Sequence, residues 1–144
     1  MFVLDTDHVS LFQRRHPVVA QKLQSVPETQ LAVTIVTYEE QVRGWLKVVS
    51  RSSNDPQKLI FGYKRLNETL NFFGNQRVLD FTETALEQFH LLLNQRLRIG
   101  TQDLRIASIA LSIGATVVTR SRRDFERIPD LKITDWSIAH PTSE

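Results

Sequence analysis

Short apolar runs punctuate this chain. Phe2 to Leu4 ends at Asp5, Leu31 to Val36 is β-branched and apolar, and Ala115 to Thr119 is set off by Gly114. Runs of this length and composition predict buried strands. Val78-Leu79 and Leu131 to Thr134 are shorter candidates for edge strands. Between these runs, apolar residues recur every three or four positions, the period of a helix. Val42, Trp45, Leu46 and Val49 form one stripe. Leu59, Tyr63, Leu66, Leu70 and Phe73 form a second, and Leu86, Phe89 and Leu93 a third within Thr82 to Arg96. Ile106, Ala107, Ile109, Ala110, Leu111 and Ile113 make a fourth helix strongly apolar. Alternating strands and helices predict an α/β fold, with a central parallel sheet of four to five strands covered on both faces.

Polar residues mark the helix starts. Thr37 with Glu40 three residues on has the form of a capping box. Asp55 is placed to cap a helix with Pro56 at its first position. Thr101 can cap the helix that carries Asp103, while Asp7 and Ser10 are placed to cap one that begins near His8. The first two stripes predict a helical hairpin from Thr37 to Phe73. Its second stripe either packs on the core or offers a surface to a partner. Ala139 to Glu144 shows no periodicity, and residues 1–144 are expected to form one domain.

Composition narrows the chemistry. The 144 residues carry no cysteine, so thiolate metal sites and disulfides are excluded. No apolar stretch approaches the roughly 18 residues of a membrane span, and the N-terminus does not read as a signal peptide. A cytoplasmic location is the expectation. The formal charge is only +2, but 13 of the 18 basic residues are arginine, whose planar fork suits phosphate. Arg120, Arg122, Arg123 and Arg127 crowd one short stretch. His8, His16, His90 and His140 show no metal-ligand spacing, and His8 and His16 read as surface residues near the mouth of a site.

Four acids stand where an apolar run gives way to a helix or turn: Asp5, Glu40, Asp103 and Asp124. An α/β fold gathers such positions at the carboxyl edge of its sheet, where ligands bind. Four carboxylates converging there would repel one another unless a divalent cation lay among them. Each acid also has a local structural reading. Glu40 fits a capping box, bonding back to the Thr37 amide. Asp103 lies in a first helical turn, where the helix dipole favours an anion. Asp124 follows arginines whose charge opposes the dipole of a helix start, an arrangement better suited to phosphate binding than to stability. Asp5 has the weakest local excuse, because Asp7 and Ser10 are better placed as caps.

The order of these motifs resembles a known family. Leu4-Asp5-Thr6-Asp7-His8-Val9-Ser10, the segment from Val33 to Gly44 around Glu40, Ile99 to Ala107 around Asp103, and Val118 to Phe125 around Asp124 are similar to the four acidic motifs of PIN-domain ribonucleases. The length and the opening Leu-Asp-Thr-Asp-His resemble the VapC-type toxins of toxin–antitoxin pairs. The resemblance implies a three-layer α/β/α fold with a protruding helical hairpin. It also implies Mg²⁺, with Mn²⁺ as a substitute, and places the catalytic acids at Asp5, Glu40, Asp103 and Asp124. Asp5 and Asp103 are the most direct ligands on this reading. Thr6 and Thr119 match the family's supporting hydroxyls. Asp7 and Ser121 stand where asparagine is common, so Asp7 adds a charge near the metal. Arg14, Arg15, Arg120, Arg122 and Arg123 are candidates to hold an RNA backbone. The implied partners are a tRNA or ribosomal RNA substrate, an antitoxin protein and a second copy of the chain. Two alternatives remain. One is a non-catalytic PIN-like binding module. The other is a haloacid-dehalogenase-like phosphatase, for which Asp5 and Asp7 follow a strand but Val9 stands where that family has threonine.

Overall fold

The computed structural model describes residues 1–139; His140 and the rest of the aperiodic tail lie outside them. Five strands form one parallel sheet: β1 (Phe2–Leu4), β2 (Leu31–Thr34), β3 (Val78–Leu79), β4 (Thr116–Val118) and β5 (Lys132–Thr134). Their spatial order is β3-β2-β1-β4-β5. The chain therefore winds outward from β1 in both directions, and the β1–β4 junction is the switch point at which doubly wound sheets open a crevice. The two weak runs, Val78-Leu79 and the one at Leu131 to Thr134, are indeed the edges.

Two faces of the sheet need two layers of cover, because side chains alternate along a strand. Val3 and Val117 point into a cluster with Phe89, Leu92, Leu104, Ala107 and Phe125. Leu4 and Val118, their neighbours in sequence, point into the opposite cluster with Val9, Val33, Phe73 and Trp136. Helices α5 (Glu83–Asn94), α6 (Thr101–Ser112) and the short α7 (Arg122–Phe125) supply the first layer. Helix α1 (Thr6–Gln13), α2 (Pro17–Gln24) and the end of α4 (Pro56–Gly74) line the second. The expected three-layer α/β/α architecture is thereby formed.

Helix α3 (Ile35–Ser50) and α4 make the hairpin. Asp55 caps α4 by accepting from the Lys58 amide at 3.2 Å, with Pro56 next, as the sequence implied. At the crossing, Gly62 lets the helices close together. A Cβ there would lie 3.0 Å from Val49 Cγ2 and 3.2 Å from Val48 Cγ1.

Several boundaries differ from expectation. Strand β2 stops at Thr34, because the Thr34 hydroxyl accepts from the Thr37 amide at 3.2 Å and starts α3 there. Ile35 and Val36 are thus helical despite their β-branching, and Val36 is buried against Ala85, Ile106 and Ile109. Packing overrode propensity, and the capping box read at Thr37 and Glu40 is displaced by three residues. Thr101 does not cap α6; Gly100 is the cap and offers no side chain. In α5 the buried stripe is Ala85, Phe89 and Leu92, whereas Leu86 and Leu93 are 40% and 44% exposed. Tyr63 and Leu70 of the hairpin stripe are likewise exposed, at 57% and 58%.

The tight crossing at Gly62 predicts a graded response. Gly62→Ala gains helix propensity but crowds Val49, so its net effect is small. Gly62→Val forces further methyl groups into the contact and should cost about 1–3 kcal/mol. Chemical denaturation of both variants checks the difference.

Candidate active site

The β1–β4 register brings the first and fourth motifs level. Leu4 lies opposite Val118, and the Asp5 amide donates to the Val118 carbonyl at 3.0 Å. Asp5 is buried and extended in backbone. Contrary to expectation it has a local structural role, since its Oδ1 accepts from the His8 amide at 2.8 Å and caps α1. The helix begins at Thr6, too early for Asp7 or Ser10 to cap it. Ser10 donates instead to the Thr6 carbonyl. A side chain fixed by its own helix start is well placed to serve as a rigid ligand.

Glu40 takes the opposite correction. It does not bond back to Thr37. Its Oε1 accepts from the Thr6 hydroxyl at 2.9 Å, across 34 residues of sequence. The Thr6 and Thr37 hydroxyls lie 3.1 Å apart, so a small hydroxyl network joins α1 and α3 at the end of β1. Glu39, one residue earlier, turns to α6 and accepts from Gln102 at 3.1 Å while pairing with Arg43. Of the adjacent glutamates, Glu40 is the one joined to the first motif.

Asp103 stands in the first turn of α6, half-buried. Burial is the larger reason that its carboxyl is pushed from an ordinary 3.8 up to about 6; repulsion from Asp5, Glu40 and Asp124 adds to it. Glu40 is also raised, chiefly by burial, with the Thr6 hydrogen bond opposing and Glu39 and Asp5 adding. Asp103 is therefore within electrostatic reach of the other three acids, and Glu40 of Asp5. Among the described residues, however, no three aspartate, glutamate or histidine side chains are gathered closely enough to form a ready-made cage for an ion.

Thr119 is fully buried, and its hydroxyl accepts from the Ser121 amide at 2.8 Å. This bond closes the turn from β4 into α7, which carries Asp124. Ser121 contributes its backbone there, and its side chain does not cap α7. Asp7 is held by a two-point ion pair, Arg120 Nε to Oδ2 at 2.6 Å and Nη2 to Oδ1 at 3.0 Å. Its extra negative charge is thus met by Arg120, the first of the expected RNA-binding arginines on the α7 side. Arg122 pairs with Glu126, and Arg123 is exposed beside it. Arg14 and Arg15 sit at the far end of α1, where Arg14 lines a cavity with Asp7, Ser10, Gln41, Trp45 and Arg65.

No family model matches the chain. It is 28% identical over 141 residues to ribonuclease VapC1 of Haemophilus influenzae, covering 95% of this chain and 98% of that protein. It is 27% identical over 139 residues to the tRNA(fMet)-specific endonuclease VapC of Salmonella typhimurium, covering 94% and 97%. Among solved structures, VapBC-1 from nontypeable Haemophilus influenzae superposes with a TM-score of 0.77 at 24% identity, over 95% of this chain and 98% of that one. DNA-bound VapBC from Salmonella typhimurium gives 0.76 at 24%, over 94% and 97%. By sequence the chain is similar to VapC ribonucleases, and it shares the fold of these VapBC structures.

Sequence reasoning missed three polar roles, two beside the acids and one at the start of α2. His8 is wholly buried beneath Asp5, not at the surface. His16 caps α2, accepting from the Val19 amide through Nδ1 at 3.4 Å. Gln102 ties Glu39 to the helix of Asp103. Only the last was accessible from sequence, as a polar neighbour of a motif acid; the others depend on chain packing.

The raised Asp103 has a thermodynamic consequence. The folded chain retains a proton that the unfolded chain has released between pH 3.8 and about 6. Stability contributed by this group therefore falls as pH rises through that window, and the penalty is complete above it. In chelator-treated protein, Asp103→Asn should be more stable than the parent at pH 7.5. The margin is on the order of 1 kcal/mol once solvent screening of a half-exposed group is allowed for. It should close toward pH 4, which thermal unfolding across pH would reveal.

Proposed function

We propose that this chain is a metal-dependent endoribonuclease, the toxin of a type II toxin–antitoxin pair. The observation that supports it most directly is Asp103, whose carboxyl is driven upward by burial and by three other acids at one sheet edge. A divalent cation is the natural counter-charge for such a cluster. The donor set fits Mg²⁺ or Mn²⁺, since the four acids offer only oxygen and the chain has no thiolate. Mg²⁺ retains several waters and needs only one or two direct carboxylates, so an open arrangement of acids suits it. Asp5 and Asp103 are the direct ligands on this reading, with Glu40 and Asp124 acting through water or a second ion.

The bound ion would neutralise charge on the scissile phosphate and lower the pKa of an attacking water. The chain's own groups do the rest. Asp5 is immobilised by the start of α1, and Thr6 fixes the direction of Glu40. Thr119 closes the turn that presents Asp124. The arginines on the α7 side supply backbone contacts that position a strand without reading its sequence. Cleavage would leave 5′-phosphate and 3′-hydroxyl ends on a tRNA or ribosomal RNA.

Two partners belong to this proposal. The structural relatives named above are VapBC complexes, and an antitoxin is accordingly the expected inhibitor of this chain. The exposed stripe of Leu46, Tyr63 and Leu70 on the hairpin is the surface offered to it or to a second copy. A cytoplasmic location goes with this role. Among the described residues no helix is long and apolar enough to cross a membrane.

Asp5→Asn tests the chemistry cleanly, because asparagine caps helices about as well as aspartate. The variant should fold normally and lose at least about a hundredfold in Mg²⁺-restored RNA cleavage, the scale of deleting a direct metal ligand's charge. Wild-type cleavage by the variant would sink the proposal. Arg123→Ala should weaken RNA binding evenly across sequences and lower the slope of log affinity against log salt by about 1. Titration of binding at several salt concentrations measures it.

A further inference from the structure

The imidazole of His8 is completely buried, and its two nitrogens face different parts of the fold. Nε2 accepts from the Trp136 amide at 3.3 Å, immediately beyond β5. A ring nitrogen that accepts a hydrogen bond carries no proton, so in the neutral ring the proton belongs to Nδ1. Nδ1 lies 3.4 Å from Asp5 Oδ1 and has no hydrogen-bond partner within standard geometry. A buried donor without a partner is costly, and the first acid of the cluster lies beside this one. Asp135 also approaches Nε2, at 3.5 Å, but its Oδ1 is already taken by the amide and hydroxyl of Ser137, at 2.8 and 2.6 Å.

We propose that His8 is a positioning residue for Asp5. Its Nδ1–H is held in place by the Trp136 amide and anchors Oδ1, so that Oδ2 is presented to the metal. The inference rests on the metal-dependent reading above and adds the group that orients its first ligand. The geometry has a clear division of labour. Oδ1 accepts from the His8 backbone amide, the His8 ring nitrogen stands 3.4 Å from the same oxygen, and no other hydrogen bond to this carboxylate is made among the described residues. One residue thus approaches one oxygen with both its backbone amide and its ring. The ring is itself anchored by a backbone group 128 positions away, after the last strand. The Asp135-Trp136 segment is therefore joined to the first motif by this hydrogen bond as well as by the packing of Trp136 on Leu4 and Val9. Such outer partners set ligand orientation, and their loss typically costs about 10–100-fold in metal affinity.

Two amide replacements separate this role from simple core filling. In His8→Asn the amide nitrogen can occupy the place of Nδ1, whereas in His8→Gln it can reach only that of Nε2. Mn²⁺ binding to the purified full chain, followed by calorimetry, should be within about threefold of wild type for His8→Asn and weakened roughly tenfold or more for His8→Gln. Thermal unfolding without metal reports any packing loss, which a purely structural histidine would show without this difference in affinity. Equal affinities in the two variants would overturn the inference. Imidazole ¹⁵N NMR of the wild type provides a test that needs no variant. Nδ1 should be the protonated nitrogen and its resonance should move on adding Mg²⁺; protonation at Nε2 alone would refute the assignment. Absence of Mn²⁺ binding to the wild type would instead overturn the metal-dependent reading, and this inference with it.

Discussion

Carboxylates at the carboxyl edge of a parallel sheet meet opposing demands. Burial favours their neutral forms, whereas the cation proposed for this site requires them charged. Asp103 displays this conflict in its raised pKa, and Asp5, Glu40 and Asp124 contribute to it. The surrounding structure restrains three of the charges, each in its own way. A helix start holds Asp5, a threonine hydroxyl holds Glu40, and a closed turn leads to Asp124. Asp7, which would add a further charge, is diverted into an ion pair with Arg120. Stability is sacrificed locally in a manner typical of sites whose electrostatics are arranged for function.

The sheet order makes these tethers possible. Because β1 is central, its end is flanked by the ends of β2 and β4, and the elements that follow all three converge there. The apolar residues immediately before each polar turn are buried on alternating faces, fixing the strands in register. A slip of one residue would exchange Val3 with Leu4 between layers and redirect Asp5. Core packing and site geometry are therefore set by the same pairing.

Much of this plan is legible from the apolar runs and the acids that follow them. Five strands, the hairpin and the cap at Asp55 are local patterns, and local patterns carry the required information. The departures share one physical origin in contacts between distant segments. Thr34 and Thr37 are both competent caps, and only the burial of Val36 against α5 and α6 decides between them. The role of Glu40 changes because Thr6, distant in sequence, supplies a better donor than its neighbour's amide. His8 has the pattern of a surface residue because its partner, the Trp136 amide, lies near the opposite end of the chain. Period alone reveals the stripes of α4 and α5, but it does not distinguish the face turned inward from the one left to solvent.

The bidentate pair between Asp7 and Arg120 spans 113 residues, and β4, the second neighbour of β1, immediately precedes that arginine in the chain. During synthesis Asp5 and Glu40 emerge before β4, so one side of the central strand remains an open edge until β4 has been made. The complete acidic cluster cannot exist before Asp124 has left the ribosome. The cluster is therefore completed only after the segments that carry Asp5, Glu40 and Asp103 have already been made.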